Sequence, residues 1–186
     1  MERFSQYISR RLSTGYNLTD YKKLQMQLGI EVILHNILMI GTILIVSNFF
    51  GLLFETIIFF LVFGSIRVFT GGFHFKSSLA CLLGTGTMVF IAHCISNNSY
   101  LNSYNDKFVL LVSLILIMIF APQGTKKNPI TNSKYKFKAI IIVIFWYYIS
   151  MIIGSANNTI IIAIMFQMIS LIVQTFINRF ILDYQL

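Results

Sequence analysis

Acidic side chains are scarce in this chain, six Asp+Glu against 14 Lys+Arg, and charge of either sign makes up only 11% of it. A soluble domain of 186 residues could not bury the 56% of hydrophobic side chains that accompany so few charges. The chain therefore belongs in a membrane, in keeping with its mean hydropathy of +0.77. Cysteine is scarce as well. Two cysteines exclude a disulfide-rich scaffold and a four-cysteine zinc site, yet leave room for one nucleophile. The first 27 residues lack an apolar run long enough for a signal-peptide core, so this segment reads as retained. No internal repeat is visible.

What is present is a series of apolar stretches, at about 29–47, 51–66, 79–96, 108–121, 139–156 and 158–177. A spanning helix needs roughly 20 residues, so the second and fourth are short, and either could be tilted, re-entrant or longer than drawn. The basic residues test the count. With the N-terminus inside, one set of alternate segments holds Arg3, Arg10, Arg11, Lys22, Lys23, Arg67, Lys76, Lys126, Lys127, Lys134, Lys136, Lys138 and Arg179. The opposite set holds Lys107 alone and is otherwise rich in Asn and Ser, such as Asn97, Asn98, Asn157 and Asn158. The positive-inside rule then gives six spans with both ends cytosolic. The net charge of +8 is thereby mainly a topology signal, and nucleic acid is not an expected partner. The expected architecture is all-α: a cytosolic segment 1–28, a six-span region 29–178 with a reactive segment 67–81 between spans two and three, and a short tail 179–186. Phe4, Ile8 and Leu12 recur every four residues with Tyr7 alongside, which suggests an amphipathic helix in the cytosolic interface. The competing reading is a partly ordered polar tail.

Reactive side chains gather in one segment, Arg67-Val-Phe-Thr-Gly-Gly-Phe-His-Phe-Lys-Ser-Ser-Leu-Ala-Cys81. Gly71 and Gly72 permit backbone conformations closed to other residues, allow a substrate chain to approach, and could offer amide hydrogens to an oxyanion. His74 supplies a base that titrates near neutral pH, and Cys81 a sulfur that attacks well once deprotonated. On one straight helix these two residues would sit roughly 10.5 Å apart along the axis, too far for proton transfer. A dyad thus requires His74 on a loop folding back and Cys81 in the first turns of the third span, with Ser77 or Ser78 as its N-cap. The plain alternatives are an interfacial histidine, a packing cysteine and, for Arg67, a headgroup anchor.

The spacing R-x3-GG-x-H-x6-C, carried by Arg67, Gly71, Gly72, His74 and Cys81, resembles the signature of the accessory gene regulator B family. A second block agrees: Ala121-Pro-Gln-Gly-Thr-Lys-Lys-Asn-Pro-Ile130 is similar to that family's Ala-Pro stretch, lysine run and Pro-Ile. Length, hydrophobic segments and the basic N-terminus fit too, so the resemblance covers essentially the whole chain. It implies a cysteine endopeptidase of Gram-positive quorum sensing that removes the C-terminal tail of an autoinducer propeptide. The new carboxyl end is then joined to an internal thiol or hydroxyl, giving a thiolactone or lactone. On this resemblance Cys81 is the nucleophile, His74 its base, and Arg67 and Gly72 are needed around them. It further implies a homodimer and no metal or organic cofactor. Two departures stand out: Phe75 occupies a position where small residues are common, and Asn128 breaks the lysine run.

Other ionisable residues carry weaker arguments. Cys94 lies thirteen residues from Cys81, about 20 Å along a helix, and the adjacent pair His93-Cys94 points in two directions. Glu31, His35 and Glu55 lie in or near apolar segments, but no spacing selects them. Lys126 and Lys127, with Lys134, Lys136 and Lys138, read as a topology determinant and, together with that, as an attractant for a propeptide's acidic tail. Two other classes compete with a peptidase: a small transporter or peptide exporter, and a non-enzymatic assembly factor.

Overall fold

A computed structural model describes residues 2–13, 19–73, 77–97, 103–123, 134–153 and 157–183. Its named elements are all helices: α1 (Glu2–Ser13), α2 (Asp20–Phe49), α3 (Leu53–Thr70), α4 (Ser78–Asn97), α5 (Ser103–Phe120), α6 (Lys134–Ile152) and α7 (Asn157–Asp183). Among the described residues, five helices are long and apolar enough to cross a membrane, namely α2, α3, α4, α6 and α7. The fourth apolar stretch, drawn at 108–121, is α5, whose apolar part begins at Phe108. The chain is an all-α polytopic membrane protein.

Residues 1–51 form one compact unit and 52–186 another. In the first, α1 lies against α2, with Ser5 and Ser9 buried and the Ser9 hydroxyl donating to the Lys23 carbonyl at 3.5 Å. Tyr7 and Leu12 stay exposed, and the Arg11 guanidinium sits 5.9 Å over the Tyr7 ring. An apolar strip turned outward beside an arginine suits the membrane interface. The second unit is built around α7. Its run Ile160–Ile164 and its Met168 and Leu171 are buried, as befits the central helix of a bundle. Around it stand α3, α4, α5 and α6. Phe59 of α3 stacks on Phe63 at 5.6 Å and meets Phe166 of α7 edge-on at 6.2 Å. Trp146 Nε1 of α6 donates to Ser65 Oγ of α3 at 2.8 Å, satisfying an indole that the apolar interior would otherwise strand. Leu61, Leu83, Phe90, Ile115, Ile141 and Phe145 are exposed, the outward apolar surface that lipid covers.

Several boundaries differ from those drawn on the sequence, among them the start of α2 and the ends of α3 and α7. The helix of the first span begins at Asp20, so the division at residue 28 falls inside α2; Lys22 and Lys23 occupy its first turn rather than a separate segment. α3 continues past Ile66 through Arg67 to Thr70, because the arginine finds partners where a hydropathy count would end the span. α7 runs to Asp183, past the boundary set at residue 178.

Candidate active site

The ends of α3 and α5, the starts of α4 and α6, and the second half of α7 share one end of the second unit. α3 closes at Gly71, which takes φ 73° and donates its amide to the Arg67 carbonyl at 2.9 Å. Glycine at this helix end avoids the penalty other residues meet at positive φ. A Cβ there would also fall 1.9 Å from the Gln123 carbonyl oxygen. The two backbones pair as a parallel bridge, with Gln123 N donating to Thr70 O at 2.8 Å. Gln123 is held on its other side as well. Its Nε2 donates to Phe120 O at 2.8 Å, and its Oε1 accepts from Asn178 Nδ2 at 2.9 Å. Asn178 Oδ1 in turn accepts from Gln174 Nε2 at 2.8 Å. The Gly-Gly block and the Ala-Pro block, fifty residues apart in sequence, are thus one hydrogen-bonded structure against α7.

Gly72 (φ 144°) brings the backbone so close to α7 that a Cβ would stand 2.8 Å from Ser170 Oγ and 3.3 Å from Gln167 Nε2. The next amide, Phe73 N–H, donates to Ser170 Oγ at 3.0 Å and to the Ser170 carbonyl at 3.3 Å. Gln167, fully buried, donates from Nε2 to Thr70 Oγ1 at 2.8 Å and to Gly71 O at 2.7 Å. The Arg67 guanidinium closes the assembly: Nη2 donates to Phe73 O, Nη1 to Ser170 Oγ at 3.5 Å, and its carbon lies 5.3 Å from the Phe63 ring centroid. Hydrogen bonds to a charged group contribute about 1.5–3 kcal/mol and a partly desolvated cation–π contact about 1–2 kcal/mol, enough to outweigh the rotamer entropy of one arginine.

Cys81 stands in the first turns of α4. Ser77 is the N-cap, its Oγ accepting from Ala80 N at 3.1 Å and its carbonyl from Cys81 N at 3.0 Å. The thiol is partly exposed and interacts electrostatically with Arg67. Of the residues singled out on the sequence, Arg67, Gly71, Gly72 and Cys81 therefore meet at this end, with Ser77 rather than Ser78 in the capping role. His74, Phe75, Lys126 and Lys127 lie outside the described residues. The amide of Gly71 is committed to the Arg67 carbonyl, so Gly71 serves as a close-approach residue, not as a donor to an oxyanion. Phe69 turns towards α6, its ring 6.3 Å from that of Tyr135 and 5.8 Å from the Lys138 ammonium.

Gln123, Gln167, Ser170, Gln174 and Asn178 were not singled out on the sequence. A signal existed: 167, 170, 174 and 178 follow one another at helical intervals of three and four within an apolar stretch, and so line one face. Burying an amide costs about 1–3 kcal/mol for each unpaired group, so polar residues on a spanning helix call for partners. At the far end of the unit, Asn158 Nδ2 donates to Ser96 O at 3.1 Å, and a recess of about 210 Å³ with its open mouth is lined by Glu55, Thr56, Phe59, His93 and Thr159 among others. His93 and Cys94 belong to that end, away from Cys81.

Fold and site together define a polytopic helical membrane protein with a capped cysteine, an arginine and a glycine turn gathered at its more basic end. Residues 1–171 match the family model for accessory gene regulator B, and the chain belongs to that family. It is 30% identical over 149 residues to the accessory gene regulator protein B of Staphylococcus saprophyticus, covering 78% of this chain and 79% of that one. The Staphylococcus aureus protein of the same name is 29% identical over 150 residues, covering 78% and 76%. An AgrB-like protein of Clostridium acetobutylicum is 28% identical over 138 residues, 74% of this chain and 66% of that protein's length. No solved structure matches the chain.

Proposed function

We propose that this chain is a cysteine endopeptidase that trims the C-terminal tail of an autoinducer propeptide and passes the acyl group to a nucleophile within the same peptide. The observation that carries the reading is the placing of Cys81 in the first turns of a helix capped by Ser77, at the end of the unit where Arg67 and the glycine turn also lie. A helix N-terminus favours negative charge that develops beside it during reaction. In the proposed sequence His74 accepts the Cys81 proton, and the sulfur attacks the scissile carbonyl. The C–N bond then breaks as His74 returns the proton to the leaving amine, leaving a thioester. Of the first amides of α4, those of Ala80 and Cys81 are taken by Ser77, and those of Ser78 and Leu79 suit the oxyanion. Exchange of the thioester with the substrate's own thiol changes bond energy little, whereas hydrolysis runs downhill; the site must hold the tethered thiol close and exclude water. The family resemblance extends the proposal to a homodimer. The test is co-expression with the small open reading frame beside its gene and mass spectrometry of the peptides. Released tail and a cyclised or linear trimmed product are expected; an intact precursor in every condition would overturn the reading.

The proposal places both termini and the site on the cytosolic side, following the basic residues. A membrane-impermeant thiol reagent applied to intact cells is then expected to label Cys94 and spare Cys81. Strong outside labelling of a Cys94→Ser variant would reverse the orientation.

Lys126 and Lys127 are proposed to draw in the propeptide's acidic tail by charge. Their replacement by Gln should raise the apparent KM by about threefold to tenfold at low salt and by less at high salt, with kcat nearly unchanged. Loss of turnover at saturating peptide with KM unchanged would contradict that role.

A further inference from the structure

Gln167 and Ser170 sit one turn apart on α7, and neither needs to be polar to hold a helix in a membrane. Gln167 is oriented without ambiguity: Gly71 O can only accept, so the amide must present its nitrogen there. Both of that nitrogen's hydrogens are spent on Gly71 O and Thr70 Oγ1. Its Oε1, buried, has no hydrogen-bond partner among the described residues. A side chain chosen only for packing would be an apolar one of similar length. Ser170 receives the Phe73 amide and one arm of Arg67, whose other arm is bound to the Phe73 carbonyl. One anchor of the guanidinium is thus on the turn that these two residues grip, and the other is Ser170 itself.

We propose that Gln167 and Ser170 are positioning residues: they clamp the Gly71–Phe73 turn against α7 and through it hold the Arg67 guanidinium at the end of the bundle where Cys81 opens α4. The inference rests on the peptidase reading for its purpose, but the coupling it describes is a property of the thiol and needs no substrate. Gln167 and Ser170 act on Cys81 through Arg67, so their effect should vanish once Arg67 is gone.

The experiment uses full-length protein carrying Cys94→Ser, purified in lipid bilayers. It compares the rates at which an anionic and a cationic methanethiosulfonate modify Cys81. The anionic-to-cationic rate ratio reports the positive charge next to the sulfur and is read without any peptide. Arg67→Gln should lower it by about fivefold or more. Gln167→Met, which keeps length and loses the donors, and Ser170→Ala should each move the ratio most of the way to the Arg67→Gln value, with no further change when combined with it. Thermal unfolding separates this from a structural role: Gln167→Met loses two hydrogen bonds together with a buried unpaired acceptor, so its melting temperature should stay close to the parent's. A ratio unchanged in Gln167→Met and Ser170→Ala, or an effect that persists in the Arg67→Gln background, overturns the proposal. So does an Arg67→Gln ratio equal to the parent's. Should Gln167→Met fail to insert, Ser170→Ala decides alone. If the parent protein cleaves no propeptide, the peptidase reading fails while these ratios stand or fall by themselves.

Discussion

Replacement of Cys81 by alanine is expected to abolish propeptide cleavage, a fall of roughly ten-thousand-fold or more when a covalent nucleophile is removed from a working site. Among the described residues at this end of the bundle no other thiol is present. Cys94, the chain's other cysteine, is thirteen residues further along the same helix, about 20 Å away. Cys81→Ser should be severely slowed but need not be silent, since a hydroxyl can attack yet is much harder to deprotonate than a thiol. His74→Ala should approach the alanine variant of Cys81 in turnover while still binding precursor. The decisive measurement is capture of the intermediate. A precursor stripped of its internal nucleophile has no tethered group to receive the acyl chain, so intact-protein mass spectrometry should find it attached to Cys81. Normal tail removal by the Cys81→Ala protein would end the mechanism.

The second large effect is expected at Gly71. Alanine there would have to adopt φ near 73°, which costs a residue with a Cβ roughly 1–2 kcal/mol, and its Cβ would fall 1.9 Å from a backbone carbonyl. The obstruction is main chain and cannot swing away. Either the bridge to Gln123 opens or the end of α3 unwinds, and both move Arg67. Gly71→Ala is therefore expected to lose about a hundredfold or more in cleavage while remaining inserted. Gly72→Ala should lose activity too: φ 144° disfavours a Cβ, and relief of its 2.8 Å approach to Ser170 Oγ would turn away the hydroxyl that grips the Phe73 amide. Gly86→Ala, five residues beyond Cys81 on α4 with nothing within 4 Å of its would-be Cβ, is the control and should be active. Peptide release assayed in membranes, beside immunoblots for insertion, ranks the three. Full activity in Gly71→Ala would show that the turn is not needed in the form described.

Much of this architecture was legible because a bilayer imposes few solutions. The stretch drawn at 79–96 is α4 within a residue at each end, and 158–177 lies within α7. The boundaries that moved did so where polar side chains are helical. Arg67 looked like the end of a span in a hydropathy count, yet it lies in α3 and is bound by Phe73 O and Ser170. Lys22 and Lys23 likewise belong to a helix that begins at Asp20. At the site, the spacing of Arg67, Gly71, Gly72 and Cys81 carried the idea of a cluster. It could not carry Gln167 or Gln123, because their importance lies in which backbone groups they meet, and those meetings join positions 96 and 52 residues apart. A polar residue in an apolar run announces that a partner exists without saying which.

The pairing of Gly71 with Gln123 bears on how such proteins can be recombined. The loop after α3 and the loop after α5 are joined main chain to main chain, and Gln123 is secured in turn by Asn178. A chimera that takes the first loop from one relative and the second from another would set two independently drifted surfaces against each other at the place where a single methyl group does not fit. For grafting, these segments and the facing turns of α7 form one inheritable cassette. Transplanted whole, it carries its own fit with it.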